Sequence, residues 1–182
     1  MEAPVVVHVM TPKLFENTNS VCLAQGLSFQ PGLRVETNCQ NCGFQQVRIN
    51  GLDGPYTQLL LDGKALFSSL NGVYGIEQIP AGMIERVEVM RGGGSALYGA
   101  NAIGGTVNII TKEPLNNLFM ISHNLIAIGN SAYDNTTSLN ASLINGQRNA
   151  GLYIFGTSRH RQHYDHDGDH FSEIGELKLT TL

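Results

Sequence analysis

Residues 86–112 read RVEVMRGGGSALYGANAIGGTVNIITK: a strand with Val87 and Val89 on one face, a glycine-dense turn, then a second strand with Val107 and Ile109 inward. Such a loop either cradles a phosphate or packs closely against a neighbour. A dinucleotide fingerprint needs G-x-G-x-x-G; Gly92 and Gly94 fit, but Leu97 holds the sixth position. A P-loop needs G-x-x-x-x-G-K; Gly94 and Gly99 have the spacing, but Ala100 stands where the lysine must be. Without that ammonium nothing holds the outer phosphates. The glycines, Gly104 and Gly105 among them, are therefore expected to permit tight packing.

Upstream, QQVRIN (45–50) alternates, with Val47 and Ile49 on one face and Gln46, Arg48 and Asn50 on the other. TQLLLDG (57–63) predicts a strand ended by Asp62-Gly63, and GLDGPY (51–56) a loop before it. PVVVHVM (4–10) predicts a further strand. A short helix is expected between Asn17 and Gly26, capped by Thr18, Asn19 or Ser20 and stopped by Gly26. FQPGLRV (29–35) reads as a turn leading into an extended segment, and 65–83 as loop. Residues 1–114 thus predict an α+β domain with a small mixed sheet and a core of Val47, Ile49, Leu59, Leu61, Val87, Val89, Val107 and Ile109.

After Pro114 the pattern changes. Four segments of strand length follow, at 118–128, 136–145, 150–162 and 171–181. In TSLNASLIN, Leu139, Ala141 and Leu143 alternate with Ser138, Asn140 and Ser142. Strands of about 9–11 residues with a two-residue period suit the wall of a transmembrane β-barrel. A soluble meander has the same period. Four strands do not close a barrel.

Composition narrows the function. Among 182 residues, 11 Lys and Arg face 15 Asp and Glu, giving a net charge of −4 and no basic footprint for nucleic acid. The start, MEAPVVVHVMTP, lacks the basic and apolar regions of a signal peptide. Cys39 and Cys42 form one C-x-x-C, with Cys22 the only other cysteine; a short disulfide or two loop thiols suits them better than zinc. No nucleophile–base set or carboxylate pair marks an enzyme.

The whole run IERVEVMRGGGSALYGANAIGGTVNIITK resembles the signature of the plug domain of TonB-dependent outer-membrane receptors. QQVRINGLDGPYTQLLLDG is similar to that family's strand–loop–strand, with Asn50 where Arg is often found, and APVVVHVMTP resembles the usual start of the plug. The resemblance implies a plug over 1–114 and the first antiparallel strands of an incomplete barrel over 115–182, hence a fragment from the outer membrane of a Gram-negative bacterium. It implies TonB as partner, although the TonB box is not visible. It implies uptake of a large nutrient such as cobalamin, haem or a ferric siderophore, with the plug gating the barrel and no cofactor required. Asp53, Tyr56, Asn71 and Tyr74 are then the expected substrate contacts, and Arg48, Arg86 and Glu88 the expected contacts with the barrel's polar inner wall.

RHRQHYDHDGDHFSEIGE (159–176) places Asp165, Asp167, Asp169 and Glu176 at positions 1, 3, 5 and 12 of a calcium loop. His170 replaces the glycine at position 6, and the flanks are strand-like, so an EF-hand is not expected. The segment resembles the Asp-rich outer loop of the family's cobalamin receptors, which binds calcium. His160, His163, His166 and His170 raise zinc or haem ligation as a further reading. The competing function is a soluble calcium- or metal-binding module built on 160–176. An apolar-outward sheet over 115–182 would favour the barrel.

Overall fold

The computed structural model describes residues 7–39, 44–66, 76–93, 95–147 and 150–182. The chain divides into two compact units, with the main division between Lys112 and Glu113. The first contains β1 (Val7–Met10), α1 (Pro12–Asn17), α2 (Leu23–Leu27), β2 (Leu33–Cys39), β3 (Phe44–Ile49), β4 (Thr57–Leu61), β5 (Lys64–Ala65), β6 (Ile84–Arg91), α3 (Ser95–Tyr98) and β7 (Gly105–Thr111). Five of its strands form one mixed sheet in the order β1-β6-β7-β4-β5, and β2 pairs with β3 separately. β4 and β7 are parallel; the remaining pairs are antiparallel.

Register explains the core. Val87 pairs with Ile109 and Val89 with Val107, while Leu59 sits beside Val107 on the other flank. All five are at most 5% exposed, as are Val47 and Ile49. Leu61, expected inside, is only half-buried, and Leu60 is fully buried in its place. β4 is covered on both faces, so strict alternation misjudges it. β1 pairs His8 with Val89 and Met10 with Val87, which turns Val7 and Val9 to the exposed side.

The helix expected over 17–26 is a correction. α1 starts earlier, with Pro12 in its first turn, where a missing N–H costs nothing and φ is already set. It closes through the Thr18 hydroxyl, which donates to Leu14 O at 2.8 Å. α2 begins only at Leu23 and runs through Gly26 to Leu27. Gly26 is therefore no stop signal. A Cβ there would lie 2.2 Å from a Phe15 ring carbon, so glycine lets α2 close on α1.

Two short turns use the residues that tolerate positive φ. Asn50 (φ 52°) and Gly51 (83°) turn the chain between Ile49 and Leu52, and Asp62 (49°) and Gly63 (76°) join β4 to β5. Asn50 thus supplies the left-handed conformation that an arginine adopts less readily.

The second unit is one antiparallel sheet in the order β11-β10-β9-β8. Its strands are β8 (Leu118–Ile128), β9 (Ala132–Ile144), β10 (Gly151–Arg161) and β11 (Leu177–Thr181). The polarity of its two faces is inverted relative to a soluble sheet. On β9 the even-numbered Asp134, Thr136, Asn140 and Ser142 are buried, whereas Tyr133, Leu139 and Leu143 are exposed. The exposed face continues through Phe119, Ile121 and Leu125 of β8 and Leu152 and Ile154 of β10. In water each such side chain forgoes part of the roughly 1.5–3 kcal/mol that full burial contributes. Arg159 and Asp134 form a bidentate pair on the polar face, with Nη2–Oδ2 at 2.7 Å and both side chains 6% exposed.

Candidate functional site

Two loops meet at one end of the five-stranded sheet. The chain between β3 and β4 carries Asp53, Pro55 and Tyr56, and the chain between β6 and β7 carries the glycine-rich signature. Backbone bonds lock them together: Gly104 N donates to Tyr56 O at 2.8 Å, and Gly92 N to Gly104 O at 3.0 Å. The approach is as close as the sequence anticipates. A Cβ at Gly104 would lie 3.0 Å from Tyr56 O, and one at Gly105 only 2.2 Å from Met90 O. Gly92 has open space instead and serves through its φ of +66°. Gly94 lies outside the described residues.

Between the loops is an open cleft of about 490 Å³. Its lining is polar at Gln46, Arg48, Asp53 and Asn101 and apolar at Pro55, Tyr56 and Ile103. Tyr56 is 45% and Ile103 53% exposed, so an apolar surface stands free beside fixed charges. Arg34 and Arg48 are directly opposite each other on β2 and β3. Glu36 lies between them, 3.3 Å from Arg34 Nε and 2.9 Å from Arg48 Nε, and Asp53 Oδ1 lies 2.5 Å from Arg48 Nη2. Carboxylates on both sides hold the guanidinium in one place. That arrangement presents a flat apolar patch and an oriented polar rim, which suits reversible binding of a large amphipathic ligand.

The structure brings Asp53 and Tyr56 together with Arg48. Asn71 and Tyr74 lie outside the described residues. Sequence reasoning missed Asn101 and Ile103. They sit in ANAIG, where attention falls on the glycines, although an isoleucine between glycines in a loop was itself a signal. Arg86 and Glu88 pair with each other at 2.8 Å, and Asn108 Nδ2 donates to Glu88 Oε2 at 3.1 Å.

The long connection between β10 and β11 draws in Asp165, Asp167 and Glu173, each offering an oxygen within 4.8 Å of the others. Glu173 was not expected there. Asp169 is outside this group and accepts from Phe171 N at 2.8 Å. Glu176 lies elsewhere, accepting from Lys178 Nζ at 2.8 Å with His160 Nε2 at 3.3 Å. The Lys178 hydrogen bond, then that of His160, holds the Glu176 carboxyl below the usual range. Asp165 already accepts from Gly168 N at 2.7 Å and His170 N at 3.0 Å, so a cation there would share oxygens that brace the loop. The four histidines do not form a metal-ligand group among the described residues.

The sequence profile of the TonB-dependent Receptor Plug Domain matches residues 1–106. The chain belongs to this family. Its first unit is a plug domain, and the antiparallel strands that follow match the receptor structures. Over 105 residues it is 36% identical to the vitamin B12 transporter BtuB of Vibrio vulnificus, and over 106 residues 30% identical to that of Vibrio cholerae. Each match covers 58% of this chain and 17% of the relative. In fold it is similar to the siderophore receptor PirA of Acinetobacter baumannii (TM-score 0.71, 24% identity, 90% of this chain and 26% of that one). It is also similar to the ferric enterobactin receptor PfeA of Pseudomonas aeruginosa (TM-score 0.69, 27% identity, 93% and 26%). The chain therefore spans about a quarter of these receptor structures and less of the transporters.

Proposed function

We propose that this chain is the plug and first wall strands of an outer-membrane receptor that takes up a large, scarce nutrient, energised through TonB, with the plug gating the barrel. The observation that carries this reading is the inverted sheet, with Leu139 and Leu143 exposed and Asn140 and Ser142 buried on the same strand. An exposed apolar face of this kind is costly for a soluble metal-binding module and is what a lipid-facing wall requires. The ligand is a large ring-bearing molecule that lies against Tyr56 and Ile103, with Arg48 and Asp53 at its polar edge. The plug's similarity to vitamin B12 transporters favours cobalamin over haem or a ferric siderophore. No part of the reading calls for catalysis.

Uptake of labelled cobalamin, haemin and ferric siderophore by cells expressing the receptor that carries this sequence tests the proposal, with and without TonB. The expected result is uptake of cobalamin that disappears without TonB. Uptake of none of the three, or uptake indifferent to TonB, contradicts it.

Calcium belongs to the same reading: Asp165 and Asp167, with Glu173, would hold it in the loop between β10 and β11. Calorimetric titration of the chain with Ca²⁺ should show binding that Asp165→Asn weakens by at least about tenfold, as loss of one charged ligand implies. Absence of heat from the unaltered chain removes the calcium role and leaves the import reading intact.

A further inference from the structure

The tripeptide Ile-Asn-Gly occurs twice in the chain, at 49–51 and at 144–146. In Asn-Gly the backbone nitrogen of the glycine reaches the asparagine amide carbon with least hindrance, because no Cβ blocks the approach. The two copies are chemically the same over all three residues, so any difference in their reactivity comes from the fold. Asn71-Gly72 is a further Asn-Gly and lies outside the described residues.

The first copy is locked away from reaction. Asn50, at φ 52°, is in the left-handed region, where Cβ crowds the residue's own carbonyl oxygen. The Gly51 nitrogen is on the other side of that carbonyl carbon and is therefore turned away from the side chain. Leaving this conformation breaks the turn bond from Leu52 N to Ile49 O (3.0 Å) and strains that from Asn50 N to Gly32 O (3.0 Å), beside a fully buried Ile49.

The second copy has no such lock. Ile144 ends β9, and Asn145 and Gly146 are both exposed in the connection to β10. Asn145 is not among the residues at positive φ. Its N–H donates to Ala150 O at 3.1 Å, which holds the chain only on the side away from Gly146. Its side-chain oxygen accepts from Ala150 N at 3.4 Å. A donor at that oxygen draws electron density from the amide carbon and favours the charge that builds up on attack. A Cβ at Gly146 would meet nothing within 4 Å, so the approach is open.

We propose that Asn145 is a self-modification site, where the chain converts its own amide to an acid. The Gly146 nitrogen, its proton passing to hydroxide, bonds to Asn145 Cγ. The bond from Cγ to the side-chain nitrogen breaks, and ammonia leaves. Water then opens the cyclic imide at either carbonyl, giving aspartate or isoaspartate. Both products place a negative charge on a neutral turn. Isoaspartate also adds a methylene to the main chain beside the Gly151–Ile144 pair that begins the β9–β10 ladder.

The test is peptide mapping by mass spectrometry of the whole chain, held in detergent micelles in mildly alkaline, ammonium-free buffer and, separately, in denaturant. In the folded chain Asn145 should convert several-fold faster than Asn50, with isoaspartate among the products and a rate that rises with pH. In denaturant the two sites should convert at similar rates. Gly146→Ala has room for its methyl group and should slow conversion several-fold while leaving the circular dichroism of the sheet unchanged. Equal rates at Asn50 and Asn145 in the folded chain, or no conversion at Asn145, overturn the proposal. Conversion that Gly146→Ala leaves unchanged overturns the route through the Gly146 nitrogen.

Discussion

A methyl group added at Gly105 would lie 2.2 Å from the Met90 carbonyl oxygen and 3.0 Å from Ile49 Cδ1, at a φ of +140°. Neither the backbone of β6 nor the core beneath it can yield cheaply. Gly105→Ala is therefore expected to destabilise the plug by about 3 kcal/mol or more, read as a lower midpoint in chemical denaturation. Gly63→Ala, at φ +76° with nothing within 4 Å, should cost only about 1–2 kcal/mol. Equal losses would refute the assignment of different roles to these glycines. The sequence showed that the signature loop is made for close approach and not for phosphate. It did not show which glycines serve contact and which serve conformation, because that depends on where Tyr56 and Met90 arrive in space. The same limit hid Asn101 and Ile103, which join the cleft only after Gly104 docks on Tyr56.

At the scale of elements, period-two patterning located β3, β6, β7, β8 and β10 within a residue or two of their ends, whereas β9 begins four residues before the expected 136 and β11 occupies only the last five residues of the expected 171–181. It failed where local signals are short or ambiguous. α1 and α2 have six and five residues, too few for a helical period to emerge. β2 begins after a Pro-Gly turn that reads simply as extended chain. β4 is buried on both faces, so alternation could not rank Leu60 above Leu61. On β9 the alternation was legible but its orientation was not. Leucines and asparagines alternate identically in a soluble sheet and in a membrane wall, and only the burial of Asn140 beside the exposure of Leu139 separates them. In the loop before β11, spacing suggested Glu176 as a ligand, but the strand start carries it to Lys178, and Glu173 comes to the aspartates instead.

At the scale of the molecule, two units of opposite polarity follow one another in the chain. The first buries valine, leucine and isoleucine and exposes charge, as a water-surrounded domain does. The second exposes Phe119, Ile121, Leu125, Leu139, Leu143, Leu152 and Ile154 and buries an Arg159–Asp134 pair. Its outer strands, β8 and β11, each have one paired neighbour among the described residues. Apolar surface and free strand edges both drive self-association in water. Size-exclusion chromatography with light scattering, in buffer and in detergent, tests this most directly. The expected result is self-association in plain buffer and a monodisperse species carrying bound detergent in micelles. A monodisperse monomer in buffer that binds no detergent would contradict it.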